Sequence, residues 1–191
     1  MKNSLLNWLL WIVVIAINAL ANILPINGMN TGQISGFYPN YFVPAGFTFG
    51  IWSIIYLLLL AYTIAFPYYT RKKEDFTGIQ AYLKSISPYY WATCLLNGSW
   101  ILAWHYLQVL LSVVIMLCFL YCLIRIFQLS IPYYKTFSFG QRITLHAPFV
   151  VYAGWISVAT IANITAWLVH QHWTGWNIPG PLWSTLMIII A

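Results

Sequence analysis

The chain has 191 residues, 62% hydrophobic and 5% charged, with a mean hydropathy of +0.78. No soluble domain of this length tolerates so apolar a composition, so the sequence reads as an all-α integral membrane protein with a single transmembrane domain over 1–191. Eight Lys and Arg stand against two acids, a net charge of +6; no basic patch fits nucleic acid, and no carboxylate lies in an apolar run to serve a proton relay, a cation site or acid–base hydrolysis.

In chain order, the first apolar run covers 5–24. Lys2 before it and Ala19-Leu20-Ala21 near its end mimic a signal peptide, but a retained helix is expected. The connection "GMNTGQISG" spaces Gly28, Gly32 and Gly36 four apart, as on a small-xxx-small helix face. Pro25 and Pro39 flank it and amides fill it, so an ordered polar loop is expected. The second run covers 47–66 and ends before "RKKED", which contains Glu74 and Asp75. From Tyr89 to Phe127 there is no strong breaker, yet one helix of that length would be about 58 Å long. The chain must turn back near His105–Gln108, which gives spans at 89–106 and 108–127. The fifth run covers 146–169. Each run is close to the ~20 residues that cross a ~30 Å hydrocarbon core. "PLWSTLMIIIA" at 181–191 is too short to cross and is expected to begin a sixth helix that continues past Ala191.

The charges test this count. Lys2 precedes span 1; Arg71, Lys72, Lys73 and Lys84 lie between spans 2 and 3; Arg125, Lys135 and Arg142 lie at or between the ends of spans 4 and 5. All eight fall on one side, which places the N-terminus in the cytoplasm by the positive-inside rule. A bacterial inner (cytoplasmic) membrane is the expected location. Cys94, Cys118 and Cys122 lie within spans and read as small apolar residues. His170 and His172 have no carboxylate or thiolate nearby and read as wet loop positions, so no metal site is expected.

A stripe of aromatic, small and amide residues recurs at spacings of three and four. It comprises Trp8, Trp11, Asn18 and Asn22 in span 1; Phe49, Trp52 and Tyr56 in span 2; Asn97, Trp100 and Trp104 in span 3; and Tyr152, Trp155, Ala159, Asn163 and Trp167 in span 5. Trp8, Trp11, Trp91, Trp167, Trp173 and Trp176 lie near span ends and fit an interfacial belt. Tyr56, Asn97, Trp155 and Asn163 lie near mid-span, where an amide facing lipid is costly, so they are expected to face the interior. Periodicity leaves open whether that interior is filled by protein or keeps room for a ligand.

Three patches resemble the TspO/MBR family, the tryptophan-rich sensory and translocator (peripheral benzodiazepine receptor) proteins. "FVPAGFTFGIWSIIY" resembles its F-T-P-P-G-W-V-F-G-x-V-W-T-x-L-Y at Phe42, Pro44, Gly46, Phe49, Gly50, Trp52 and Tyr56, with Ala45 and Phe47 as departures and one residue fewer between Gly50 and Trp52. "NGSW" resembles its N-x-x-W at Asn97 and Trp100. "YAGWISVATIANITAW" resembles Y-x-x-W-x-S-F-A-A-Y-L-N-x-T-x-W, with Tyr152, Trp155, Ala159 and Asn163 in register. The resemblance implies a TspO-like five-helix bundle, here a divergent, longer branch, with Trp52, Tyr56, Asn97, Trp100, Tyr152, Trp155, Ala159 and Asn163 lining a pocket. It implies a planar apolar ligand, either a tetrapyrrole such as haem or protoporphyrin or a sterol-like lipid, with no cofactor required, and a role as sensor, receptor or carrier. The expected partners are membrane lipids and a homodimer or a larger membrane complex. The alternative is an accessory subunit of such a complex, its aromatic faces making protein, pigment or lipid contacts. An enzymatic role in tetrapyrrole breakdown ranks third, since the sequence offers no acid–base pair.

Overall fold

The computed structural model describes residues 2–24, 26–42, 46–71 and 77–190. Its helices, in chain order, are α1 (Lys2–Asn22), α2 (Thr31–Ser35), α3 (Ile51–Arg71), α4 (Thr77–His105), α5 (Val109–Tyr134), α6 (Phe139–Gln141), α7 (Ala147–His170) and α8 (Gly180–Ile190). No strand occurs among the described residues. The five long helices α1, α3, α4, α5 and α7 coincide with the five apolar runs.

Among the described residues, four segments are long and apolar enough to cross a membrane: Lys2–Gly28, Phe47–Arg71, Val109–Tyr134 and Phe139–His170. The exception is α4, and its position explains why. It packs against both α1 and α5, and Tyr82, Ser87, Tyr90, Thr93, Asn97, Trp100 and His105 are all buried along it. A helix enclosed by its neighbours needs little lipid-compatible surface. Its exposed large hydrophobic side chains are Leu95 and Leu102, and Lys84 is exposed nearer its start.

The boundaries differ from the sequence expectation where helices outrun the apolar runs. The 89–106 span is the C-terminal part of a 29-residue helix that starts at Thr77 and contains Pro88. Likewise α5 continues past 127 to Tyr134 and contains Pro132. The expected reversal is a tight turn in which Leu107 takes φ 57° and the Gln108 N–H donates to the Ala103 carbonyl at 2.9 Å. A π-helical turn, Arg142–His146, leads into α7. The 181–191 run forms α8, whose last described residue is Ile190. Lys72, Lys73, Glu74 and Asp75 lie outside the described residues.

The polar connection after α1 is ordered, and it contains a short helix. Asn27 (φ 57°) and Gly28 (φ 76°) turn the backbone through the left-handed region. A capping box then starts α2: Asn30 Oδ1 accepts from the Gln33 N–H at 2.9 Å, and Gln33 Oε1 accepts from the Asn30 N–H at 2.8 Å. The C-terminal end of α4 fastens this loop to the bundle. Trp104 Nε1 donates to the Thr31 carbonyl (3.3 Å), and Asn27 Nδ2 donates to the His105 carbonyl (3.0 Å). The buried His105 ring bridges the Ile26 carbonyl through Nδ1 (3.0 Å) and the Thr31 hydroxyl through Nε2 (3.2 Å).

Candidate functional site

Below this loop lies a cleft of about 940 Å³, between α1, α2, the start of α3 and Trp100 of α4. It narrows into a recess of about 50 Å³ walled by Phe49, Trp52, Trp100, Trp104, Trp155 and Asn163. Thr31, Ser35, Phe49, Trp52 and Trp100 line both, so the two form one continuous site. Its volume lies in the range of small-molecule sites, ~300–1,000 Å³.

The aromatic walls hold one another at defined angles. Trp52 stacks on Tyr56 (centroids 5.6 Å apart, planes at 21°) and meets Trp155 and Tyr152 edge-on at 6.0 and 5.9 Å. Phe49 meets Trp155 edge-on at 6.1 Å, and Trp100 stacks on Trp104 at 6.0 Å and 16°. Edge-to-face contacts suit the ring quadrupoles.

Beneath the aromatics runs a hydrogen-bonded floor that ties α1, α4, α5 and α7 together. Asn18 Nδ2 donates to Asn97 Oδ1 at 2.8 Å, and Asn97 Nδ2 donates to the Tyr152 hydroxyl at 2.8 Å. Trp100 Nε1 donates to Asn163 Oδ1 at 2.7 Å, and Asn163 Nδ2 donates to Ser112 Oγ at 2.8 Å. Buried amides in a bilayer are tolerated when paired in this way. Two groups of the site stand outside the network: Trp155 Nε1 on the recess and the Tyr56 hydroxyl on the cleft are buried and have no hydrogen-bond partner. With the Trp155 indole 92% buried on the recess wall, its donor is a cost the fold leaves uncompensated.

A family model described as TSPO-like protein matches residues 4–191. The chain belongs to the TSPO-like protein family. No curated protein and no solved structure gave a match to it.

The TSPO-like motifs distribute over the site unevenly. Trp52, Tyr56 and Trp100 line the wide cleft; Trp155, Ala159 and Asn163 line the recess together with Trp52 and Trp100. Asn97 and Tyr152 line neither volume; they are buried in the floor, bonded to each other. Gly46–Gly50 is a 3-10 turn feeding α3. Phe49 in that turn and Trp52 in the first turn of α3 both meet Trp155 edge-on and line the cleft and the recess. Gly50 is exposed, and a Cβ there would meet open space, so no close packing requires a glycine. Pro44 lies outside the described residues.

Sequence reasoning left several site residues unassigned. Asn18 was visible in the span 1 stripe, and Trp104 in that of span 3. Thr31 and Ser35 carry no periodic signal, because a loop folds them over the cleft. Trp11 and Trp91, placed in the interfacial belt on position alone, donate to the Tyr56 carbonyl (3.2 Å) and to Asn7 Oδ1 (2.7 Å) and so tie α1 to its neighbours. No group of three His, Cys, Asp or Glu that could hold a metal occurs among the described residues.

Proposed function

We propose that this TSPO-like membrane protein binds a planar apolar ligand, a tetrapyrrole or a sterol-like lipid, in the cleft beneath α2 and acts as a sensor or carrier. The observation that carries this reading is the unpaired Trp155 indole N–H in an aromatic recess continuous with a ligand-sized cleft. A side-chain-filled interior would have favoured an accessory subunit instead, and a cavity flanked by Trp52, Asn97 and Trp155 a ligand. Trp52 lines the cleft and the recess, Trp155 the recess alone, and Asn97 lies in the floor, so the open volume supports the ligand reading with Trp100 on its wall in place of Asn97. At about 50 Å³ the recess admits an edge or a substituent, roughly the volume of one or two waters. The body of the ligand therefore belongs in the wide cleft, flat against Trp52 and Tyr56.

The lining also bears on ligand chemistry. Among the described residues, neither volume is lined by Lys, Arg, His, Cys, Met or a carboxylate; the polar groups are amides and hydroxyls such as Asn18, Asn22, Gln33 and Ser53. A haem iron would find the Tyr56 phenol there but no imidazole, thiolate or thioether, and the propionates of haem and protoporphyrin alike would meet neutral donors only. The uncharged lining suits a neutral sterol-like molecule at least as well as a propionate-bearing tetrapyrrole.

The test is purification in mild detergent, an absorption spectrum and mass spectrometry of what co-purifies, then titration with protoporphyrin, haem and a sterol while following tryptophan fluorescence. Quenching at micromolar concentration supports the reading. If none of the three binds the folded protein and nothing planar co-purifies, the ligand reading fails and the complex-subunit reading takes its place.

A further inference from the structure

A second cavity, of about 520 Å³, lies outside the bundle between α7 and α8 and shares no lining residue with the first site. One wall is the outward face of α7, with Ile161, Ile164 and Leu168; the opposite wall is α8, with Met187. Phe42 and a cluster of Trp173, Trp176 and Trp183 close the end toward the α2 side. The three indoles touch one another, with centroids 5.3–5.9 Å apart. A tryptophan cluster at the end of a spanning helix marks the headgroup level of a bilayer, so the aliphatic part of the cavity extends from there toward the hydrocarbon.

The hinge that holds α8 is local. Ser184 Oγ donates to the Tyr41 carbonyl at 2.9 Å, Trp183 Nε1 donates to the Gly175 carbonyl at 2.9 Å, and Gly180 lies so close to the Tyr41 ring that a Cβ there would come within 2.6 Å of it. These fastenings lie in the first half of α8. The second half stands off from α7 across the cavity.

Several of the polar side chains on the walls are engaged within the protein. Besides Trp183 and Ser184, Asn40 binds the Tyr38 carbonyl and the Phe42 N–H (2.7 and 2.8 Å), and the Thr165 hydroxyl donates to the Ile161 carbonyl (2.9 Å). The rest of the lining is mostly apolar, so its occupant is recognised chiefly by hydrocarbon contact and shape. Two apolar walls, an aromatic cluster at headgroup depth and a position on the lipid side of a spanning helix select one ligand class. We propose that this cavity is a phospholipid site that holds one acyl chain from the leaflet on the α2 side, and that the chain completes the packing of α8 onto α7.

Native mass spectrometry of the full chain in mild detergent, titrated with palmitoyl-oleoyl phosphatidylglycerol, tests this. The wild type is expected to retain one phospholipid per chain at collision energies that strip detergent. Thr165→Trp, which fills the cavity from α7, is expected to lose that adduct while quenching by the planar ligand of the first site is unchanged. Met187→Trp fills it from α8 and serves if the first variant does not fold. The proposal is overturned if the wild type retains no phospholipid at one per chain. It is also overturned if the adduct persists in a folded filled variant, or if a sterol is retained while the phospholipid is released.

Discussion

Trp100 and Trp155 make a matched pair for a test of the recess. Each is 8% exposed, and each loses a similar ring volume on substitution by phenylalanine, so the packing penalties nearly cancel. They differ in one bond: Trp100 Nε1 donates to Asn163 Oδ1 at 2.7 Å, whereas Trp155 Nε1 donates to nothing. Trp100→Phe strands a buried amide oxygen, a cost of about 1–3 kcal/mol in protein interiors and nearer 0.6–1.7 kcal/mol between membrane helices. Trp155→Phe strands nothing and removes a donor that was already unpaired. Without ligand, Trp100→Phe should therefore be the less stable by about 0.5–2 kcal/mol, read as reversible unfolding with SDS in mixed micelles by circular dichroism. With ligand the order inverts. If the ligand offers the Trp155 N–H an acceptor, Trp155→Phe forfeits a hydrogen bond worth about 0.5–1.5 kcal/mol, a two- to tenfold rise in Kd by fluorescence titration. Equal stabilities, or a less stable Trp155→Phe, would refute the assignment of the unpaired donor. Unchanged affinity in Trp155→Phe would remove it from ligand contact.

Asn97 ties Asn18 to Tyr152 through two 2.8 Å bonds, so Asn97→Leu should cost more than 1 kcal/mol in the same assay, whereas Val150→Leu on the lipid-facing side of α7 should change it by less than about 0.5 kcal/mol. His105→Ala removes both ring contacts to the loop, and hydrogen–deuterium exchange should rise across residues 26–35 but not within α4; uniform exchange would mean the loop is held elsewhere. Gly98 is tight against α1, since a Cβ would come within 2.9 Å of Ile17 Cδ1. The flexible end of isoleucine can yield to Gly98→Ala, so that change should be mild, while Gly98→Val should separate α1 from α4 and lower thermal stability clearly. In a cysteine-free background, Gly32→Cys should react with a membrane-impermeant maleimide from outside and Thr136→Cys only after permeabilisation; the reverse pattern would overturn the charge-based orientation.

The number of long helices was legible because two independent signals agreed, the apolar run lengths and the one-sided distribution of Lys and Arg. Their ends were not. Gln80, Lys84, Ser85 and Ser87 read as loop on hydropathy, yet they extend α4 beyond the bilayer, where helix formation no longer depends on apolar side chains. In the site, the spacing of Trp155 and Asn163 placed both on one face, and the structure puts both on the recess. Periodicity could not distinguish cavity wall from floor, because that depends on partners far away in sequence. Asn97 and Tyr152 satisfy each other across 55 residues, and Trp100 finds Asn163 across 63. The covering role of Thr31 was equally hidden, since its contact with His105 spans 74 residues.

The low hydropathy of α4 also bears on how the chain enters the bilayer. A segment partitions from the translocation machinery into lipid according to its own side chains, and α4, polar along much of its length, does so poorly alone. α5 follows after three residues and has the highest mean hydropathy of the four spanning segments, 2.7. The two should therefore insert together as a hairpin, with α5 drawing α4 across and α1 sealing its other side. During synthesis, a nascent chain that has reached only the Tyr106–Gln108 turn would hold α4 at the membrane surface until α5 emerges.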